Sequence, residues 1–255
     1  MLKYAKLVNK IRRWHMDKKL IIFDKDGTLL DFDAYWIPVS EAALYDMVKV
    51  ARVSEAAIPE IFDAFMVKDG VTSIKSSLSY GTYDDMGADI FSVLKKYGAQ
   101  LSESEVKRLT RKLYHDHIEK GEIKPTSDAL LKTLKTLREK GFTLGVVTSD
   151  APLVTEECLK ALGIRDYFSF VITDDGVTPT KPCPDSLNKI CRELAISHGD
   201  VFMVGDTLTD LAYAKAAGVE AIGLAKSAEN ADILKEGGAD YVIKDILEIL
   251  DILKL

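Results

Sequence analysis

Two carboxylates separated by one residue, Asp24 and Asp26, end the apolar run Leu20 to Phe23 and are followed by Gly27 and Thr28. Such a pair can supply a nucleophile, a general acid and base, or oxygen ligands for a hard cation. Asp and Gly also build ordinary turns, so the pair takes its meaning from the rest of the chain. Three other places carry matching chemistry. Thr148-Ser149-Asp150 closes the stretch 142–149 and offers a hydroxyl and free backbone N–H groups. Lys181 lies in TPTKPCPD, after the stretch 168–173, and GDTLTD supplies Asp206 and Asp210 at the end of 201–206. Four residues apart, those two acids share a face of a nascent helix. Singly, each feature has a plain alternative as a helix cap or a solvated charge. Together, at four successive strand ends, they predict one site, because carboxylates repel one another when gathered.

The elements that must position these residues follow from the apolar pattern. Short apolar runs bounded by polar residues read as buried parallel strands, here 20–23, 142–149, 168–173, 201–206, 220–225 and 240–244. Between them lie helical stretches at about 131–141, 152–162, 185–195 and 209–217, a further helix before the last strand, and an amphipathic helix in KDILEILDILKL at the end. Alternation of this kind predicts an α/β fold with a doubly wound, mostly parallel, Rossmann-like sheet. In such sheets the ligand crevice lies beyond the carboxyl ends of the strands. Residues 32–122 break the rhythm: they show no convincing strand and four helical segments, roughly 39–51, 54–67, 87–97 and 103–120. That is too long for a loop, so it reads as an inserted, small all-helical domain suited to a lid. The core is then 1–31 plus 123–255.

A chain of 255 residues, 47% hydrophobic and 29% charged, has the composition of a soluble globular protein. A net charge of −6 argues against a nucleic-acid partner. Cys158, Cys183 and Cys191 show no zinc spacing and fit free thiols in a reducing compartment, so a cytoplasmic location is expected. No apolar stretch is long enough to span a bilayer. Residues 1–15 read as an N-terminal helical extension; the basic, amphipathic stretch 1–14 also suits an anionic membrane surface, but packing on the domain or a loose end is the reading adopted.

In order and spacing, DKDGT, Thr148, Lys181 and GDTLTD resemble the four motifs of the haloacid dehalogenase superfamily, and the helical insertion is similar to that family's small cap. The phosphoglycolate-phosphatase-like branch is the nearest resemblance. Two positions depart from the usual pattern: Lys25 replaces an apolar or aromatic residue, and Ser149 a common Asn. The resemblance implies a Mg²⁺-dependent phosphatase acting on a small phosphorylated metabolite through an aspartyl-phosphate. Asp24 would be the nucleophile and Asp26 the general acid and base. Asp24, Asp206 and the backbone carbonyl of Asp26 would hold Mg²⁺, with Asp210 standing behind them or acting through a metal-bound water. Thr148, the Ser149 amide and Lys181 would bind the transferring phosphoryl group, and Lys181 would also pair with Asp24. Chemistry agrees: an anionic ester resists anionic attack, so the site must neutralise charge and align the nucleophile.

Within the resemblance, Asp26 points to ester hydrolysis rather than dehalogenation, and Thr28 to hydrolysis rather than mutase action. The alternatives are a sugar-phosphate mutase of the same superfamily or a non-catalytic phosphate-binding or signalling protein. As a monomer or homodimer, the protein needs neither nucleic acid nor membrane in this reading. His115 and His117, two apart on a predicted helix, point to different faces and are set aside as metal ligands. Asp175 reads as turn acid or a supporting group. Asp31, Asp33, Tyr35 and Trp36, with Lys68, Lys75 and Tyr80 of the polar stretch 67–85, are the places where specificity would lie.

Overall fold

A computed structural model of the chain describes residues 19–177 and 179–255. The proposed N-terminal extension lies outside the described residues. In chain order the strands are β1 (Leu20–Phe23), β2 (Val67–Lys68), β3 (Val71–Thr72), β4 (Thr143–Val147), β5 (Phe170–Ile172), β6 (Val201–Gly205), β7 (Glu220–Leu224) and β8 (Tyr241–Ile243). Six of them form one sheet in the order β5-β4-β1-β6-β7-β8. Every pairing in it is parallel. A strand covered on both faces needs apolar residues throughout, and all four residues of β1 are fully buried. Ile21, Phe23, Val146, Val204 and Ile222 share a core with Leu134 and Leu137 of the helix Leu130–Glu139.

The chain divides into two compact units. The first holds the six-stranded sheet; the second spans Asp31–Lys124 and also takes in Lys226–Asn230. Those five residues join it through Lys226 Nζ, 2.6 Å from Asp31 Oδ1, and Asn230, whose amide accepts from the Ile74 N–H at 3.2 Å and donates to the Thr72 carbonyl at 3.3 Å. The second unit has a core of its own, built on Val39, Leu44, Ile61, Phe65, Ile90, Leu94 and Val106.

Two features of that unit differ from the sequence-based expectation. The first helix starts at Phe32 rather than 39, running Phe32–Ala51 with Pro38 inside it. Proline has no N–H for the carbonyl four residues back, which normally ends or kinks a helix. Here the freed carbonyl of Ala34 accepts instead from the Glu122 N–H at 3.2 Å, so the helix continues. The unit is also not wholly helical: β2 and β3 form an antiparallel hairpin, Lys68 opposite Val71. Its turn, Asp69-Gly70, has positive φ at both residues, the geometry that suits a two-residue hairpin loop. At the C-terminus the expected long helix is a 3₁₀ turn, Ile246–Glu248, followed by the short helix Ile249–Ile252.

Candidate active site

Parallel register brings the chemistry together. Phe23 lies beside Val146 of β4 and Val204 of β6, so Asp24 follows at the level where those strands run out toward Thr148 and Asp206. The Asp24 N–H still donates to the Val204 carbonyl at 2.9 Å, which ties the first acid to the sheet. Asp24, Asp206 and Asp210 each offer a carboxylate oxygen, and these oxygens all lie within 4.8 Å of one another.

Lys181 is the cation of this cluster. Its Nζ donates to Asp24 Oδ1 at 2.5 Å and to Asp210 Oδ1 at 2.6 Å, with all three side chains nearly excluded from solvent. Burial acts to neutralise the ammonium, but Asp210 and Asp24 outweigh it and raise its pKa. Asp24 is pushed up to about 7, first by burial and then against the pull of Lys181 by the nearby Asp210 charge. Asp206 is raised well above the usual carboxylate range by burial and by the Asp24 and Asp210 charges. Three carboxylates facing one ammonium leave two negative charges in excess if all are ionised, a deficit that one divalent cation removes. Oxygen-only donors of this kind fit a hard ion such as Mg²⁺.

The three acids are not equivalent. Asp206 is steadied by Thr28, whose hydroxyl donates to its Oδ1 at 3.1 Å. Asp210 has both oxygens engaged: Oδ1 by Lys181, and Oδ2 by the Thr207 N–H at 3.1 Å and hydroxyl at 2.7 Å. Asp206 and Asp210 do not share a helix face as the spacing suggested. Thr207 is the N-cap of the helix Leu208–Ala217, forming a capping box with Asp210, so Asp206 stands outside that helix. The cap, rather than helical periodicity, brings the two acids together.

Close packing holds the loop against these groups. Gly27 has φ +79, and a Cβ there would lie 2.0 Å from Asp206 Oδ2. A Cβ on Gly205 would lie 2.3 Å from that of Asp210. Thr148 is buried at the end of β4 and its Oγ1 accepts from the Asp150 N–H at 3.2 Å, leaving its proton to donate; Ser149 is exposed. Asp26 accepts on Oδ1 from Lys25 Nζ at 2.6 Å, and burial raises its pKa against the opposing Lys25 charge.

Other residues singled out from the sequence are engaged differently. Asp31 caps the helix Phe32–Ala51 by accepting from Ala34 N–H, and Asp33 accepts from Thr72 N–H at 3.0 Å. Tyr35 and Trp36 stack edge to face, while Lys68, Lys75 and Tyr80 are exposed. His117 pairs with Asp46 at 2.9 Å and Asp116 with Lys112, so neither belongs to a metal group among the described residues. Asp175 accepts from the Val177 N–H in its own turn. Sequence reasoning gave three contributors no part in the site, Lys25 being noted as a departure from the usual motif. Thr207 was marked by its T-x-x-D spacing, Asp150 by its place two residues after Thr148, and Lys25 by its charge within an otherwise apolar setting.

Comparison with known proteins bears on the family and the fold. The hydrolase family described as haloacid dehalogenase-like hydrolase matches residues 18–218. Phosphoglycolate phosphatase of Vibrio vulnificus (strain YJ016) is 29% identical over 248 residues, covering 92% of this chain and 95% of that protein. Pyrophosphatase PpaX of Halalkalibacterium halodurans is 29% identical over 138 residues, 54% of this chain and 64% of its own length. The structure of a haloacid dehalogenase-like family hydrolase from Streptococcus pneumoniae superposes with a TM-score of 0.66 at 16% identity, covering 93% of this chain and 99% of that one, and shows the shared fold. Among the described residues no helix is long and apolar enough to cross a membrane.

Proposed function

The chain belongs to the haloacid dehalogenase-like hydrolases, and we propose that it is a Mg²⁺-dependent phosphatase that cleaves a small phosphorylated metabolite through an aspartyl-phosphate. One observation carries this reading: Lys181 bridges Asp24 and Asp210 inside a buried cluster that also holds Asp206. A buried ion-paired cluster at the open end of a parallel sheet is expensive as mere structure and suits transfer of an anionic group.

Asp24 is the nucleophile, with its oxygen bonding phosphorus as the ester oxygen departs. Lys181 holds Asp24 in place and faces the negative charge of the transferring group; Thr148 and the Ser149 amide donate to its oxygens. Asp26 protonates the leaving oxygen and then takes a proton from the water that releases phosphate from Asp24. Asp24, Asp206 and the Asp26 carbonyl would hold Mg²⁺, while Asp210 fixes Lys181. Bound there, the ion supplies positive charge that lets two anions meet.

The test is turnover of p-nitrophenyl phosphate with Mg²⁺, with and without chelator, beside Asp24→Asn, followed by a panel containing phosphoglycolate, pyrophosphate, sugar phosphates and nucleotides. Mg²⁺-dependent release of phosphate that Asp24→Asn abolishes is expected. A chain inert toward the whole panel in the presence of Mg²⁺ would sink the proposal, and conversion of a hexose 1-phosphate to the 6-phosphate would replace it with a mutase.

A further inference from the structure

Lys25 sits between the two acids of the first motif and is 0% exposed. A buried ammonium is tolerated only where opposite charges meet it. Its Nζ lies 2.6 Å from Asp26 Oδ1 and 3.0 Å from Asp150 Oδ2. Asp150 is itself anchored at the end of β4. Its N–H donates to Thr148 Oγ1 at 3.2 Å, its carbonyl accepts from the Asp174 N–H at 2.9 Å, and its Oδ1 accepts from the Ala151 N–H at 3.0 Å. The ammonium therefore has one fixed end, on the backbone-bound Asp150, and one end on the carboxylate of Asp26. An apolar side chain could fill the same space without burying a charge, and it would orient nothing.

We propose that Lys25 is a positioning residue, clamped by Asp150, that takes Oδ1 of Asp26 and sets the carboxylate so that the other oxygen, Oδ2, carries the transferred proton. The proposal rests on the phosphatase reading and on Asp26 as its acid. In the step concerned, an Asp24 oxygen forms its bond to phosphorus and the ester P–O bond breaks. The electron pair of that bond stays on the leaving oxygen, which takes the proton from Asp26 Oδ2. Asp26 is left as a carboxylate beside Lys25.

The experiment measures kcat/KM, which covers the steps through phosphorylation of the enzyme, with p-nitrophenyl phosphate and with a simple alkyl phosphate. A p-nitrophenolate leaves without help, whereas an alkoxide needs the proton, so a misplaced acid penalises the alkyl ester selectively. Lys25→Met is expected to lose about tenfold or more beyond its loss on p-nitrophenyl phosphate when assayed with the alkyl ester, a fraction of the range spanned by acid catalysis. Half-saturating Mg²⁺ should stay unchanged. Asp150→Asn should show the same selective loss to a smaller degree, and it carries the test if Lys25→Met does not fold. Asp26→Asn is run beside them. If it shows the selective loss and both other variants lose equally on the two esters, the clamp is overturned. If Asp26→Asn also loses equally on both, its role as the acid fails and takes the clamp with it. If no variant and no parent enzyme turns over either ester, the phosphatase reading fails first.

Discussion

Replacing Gly27 by alanine adds one methyl group at the point where the loop after β1 meets Asp206. The position has φ +79, where an L side chain costs about 1–2 kcal/mol. A Cβ there would lie 2.0 Å from Oδ2, 2.3 Å from Cγ and 2.6 Å from Oδ1 of Asp206. Non-bonded carbon contacts settle near 3.5–4 Å, so the nearest carboxylate oxygen has to retreat by roughly 1.5–2 Å. Displacing a reacting constellation by about 1 Å costs about a hundredfold in rate. The expected outcome is a loss of about a hundredfold in kcat/KM for p-nitrophenyl phosphate, with half-saturating Mg²⁺ raised by about tenfold or more. Gly163→Ala separates strain from contact, because Gly163 has φ +67 and nothing within 4 Å of a Cβ. It should lower Tm by about 2–8 °C and leave Mg²⁺ dependence intact. Gly27→Ala with both kinetic parameters within about twofold of the parent would refute the idea that this packing sets the metal-binding acid.

Other consequences can be measured directly. Asp24 is pushed up to about 7 from 3.8, so it binds its proton more tightly in the fold than in the unfolded chain. Its contribution to stability is complete below pH 3.8 and is lost as pH rises through about 7. Thermal scans in chelator should therefore show Tm falling across that window, and the rise in Tm produced by Mg²⁺ should be larger above it than below; equal Mg²⁺ effects on both sides would contradict this. Asp206→Asn removes a charge that burial and two neighbours disfavour, so metal-free Tm should rise while turnover disappears. A lower metal-free Tm would show that the acid stabilises the fold instead. Thr28→Val deletes the hydroxyl that donates to Asp206 Oδ1, and Mg²⁺ titration of activity should show affinity weakened about tenfold or more.

The sheet and much of the site were legible because each strand is a short apolar run that ends abruptly in chemistry: Phe23 before Asp24, Val147 before Thr148, Gly205 before Asp206. Parallel pairing needs only that these ends align, and the register aligns them. What escaped depended on partners distant in sequence. The start of the first inserted helix at Phe32, ahead of Pro38, escaped because the Glu122 N–H that replaces the bond missing at Pro38 comes from the far end of the inserted unit. The short hairpin β2–β3 carried its signal in Asp69-Gly70, but two-residue strands leave no period to recognise. Lys25 could be seen as odd, but its use required Asp150 to arrive from another strand end. The place of Lys226–Asn230 with the inserted unit rests on side-chain contacts to Asp31, Thr72 and Ile74 that no local pattern announces.

The central position of β1 bears on how the chain is born. On a ribosome, residue 20 emerges before residues 143 and 201 and must wait for both before it has its strand neighbours. At about 5–20 residues per second, that delay is on the order of ten seconds or more. The intervening helices draw their core from their own stretch of chain, so they can condense while β1 is still unpaired. During that interval the nascent chain presents Leu-Ile-Ile-Phe to the cell, a sticky segment with three charged residues, Asp24, Lys25 and Asp26, close behind it. Asp24 is synthesised before every other member of its cluster, and its surroundings are complete only after β6 and Asp210 have been made.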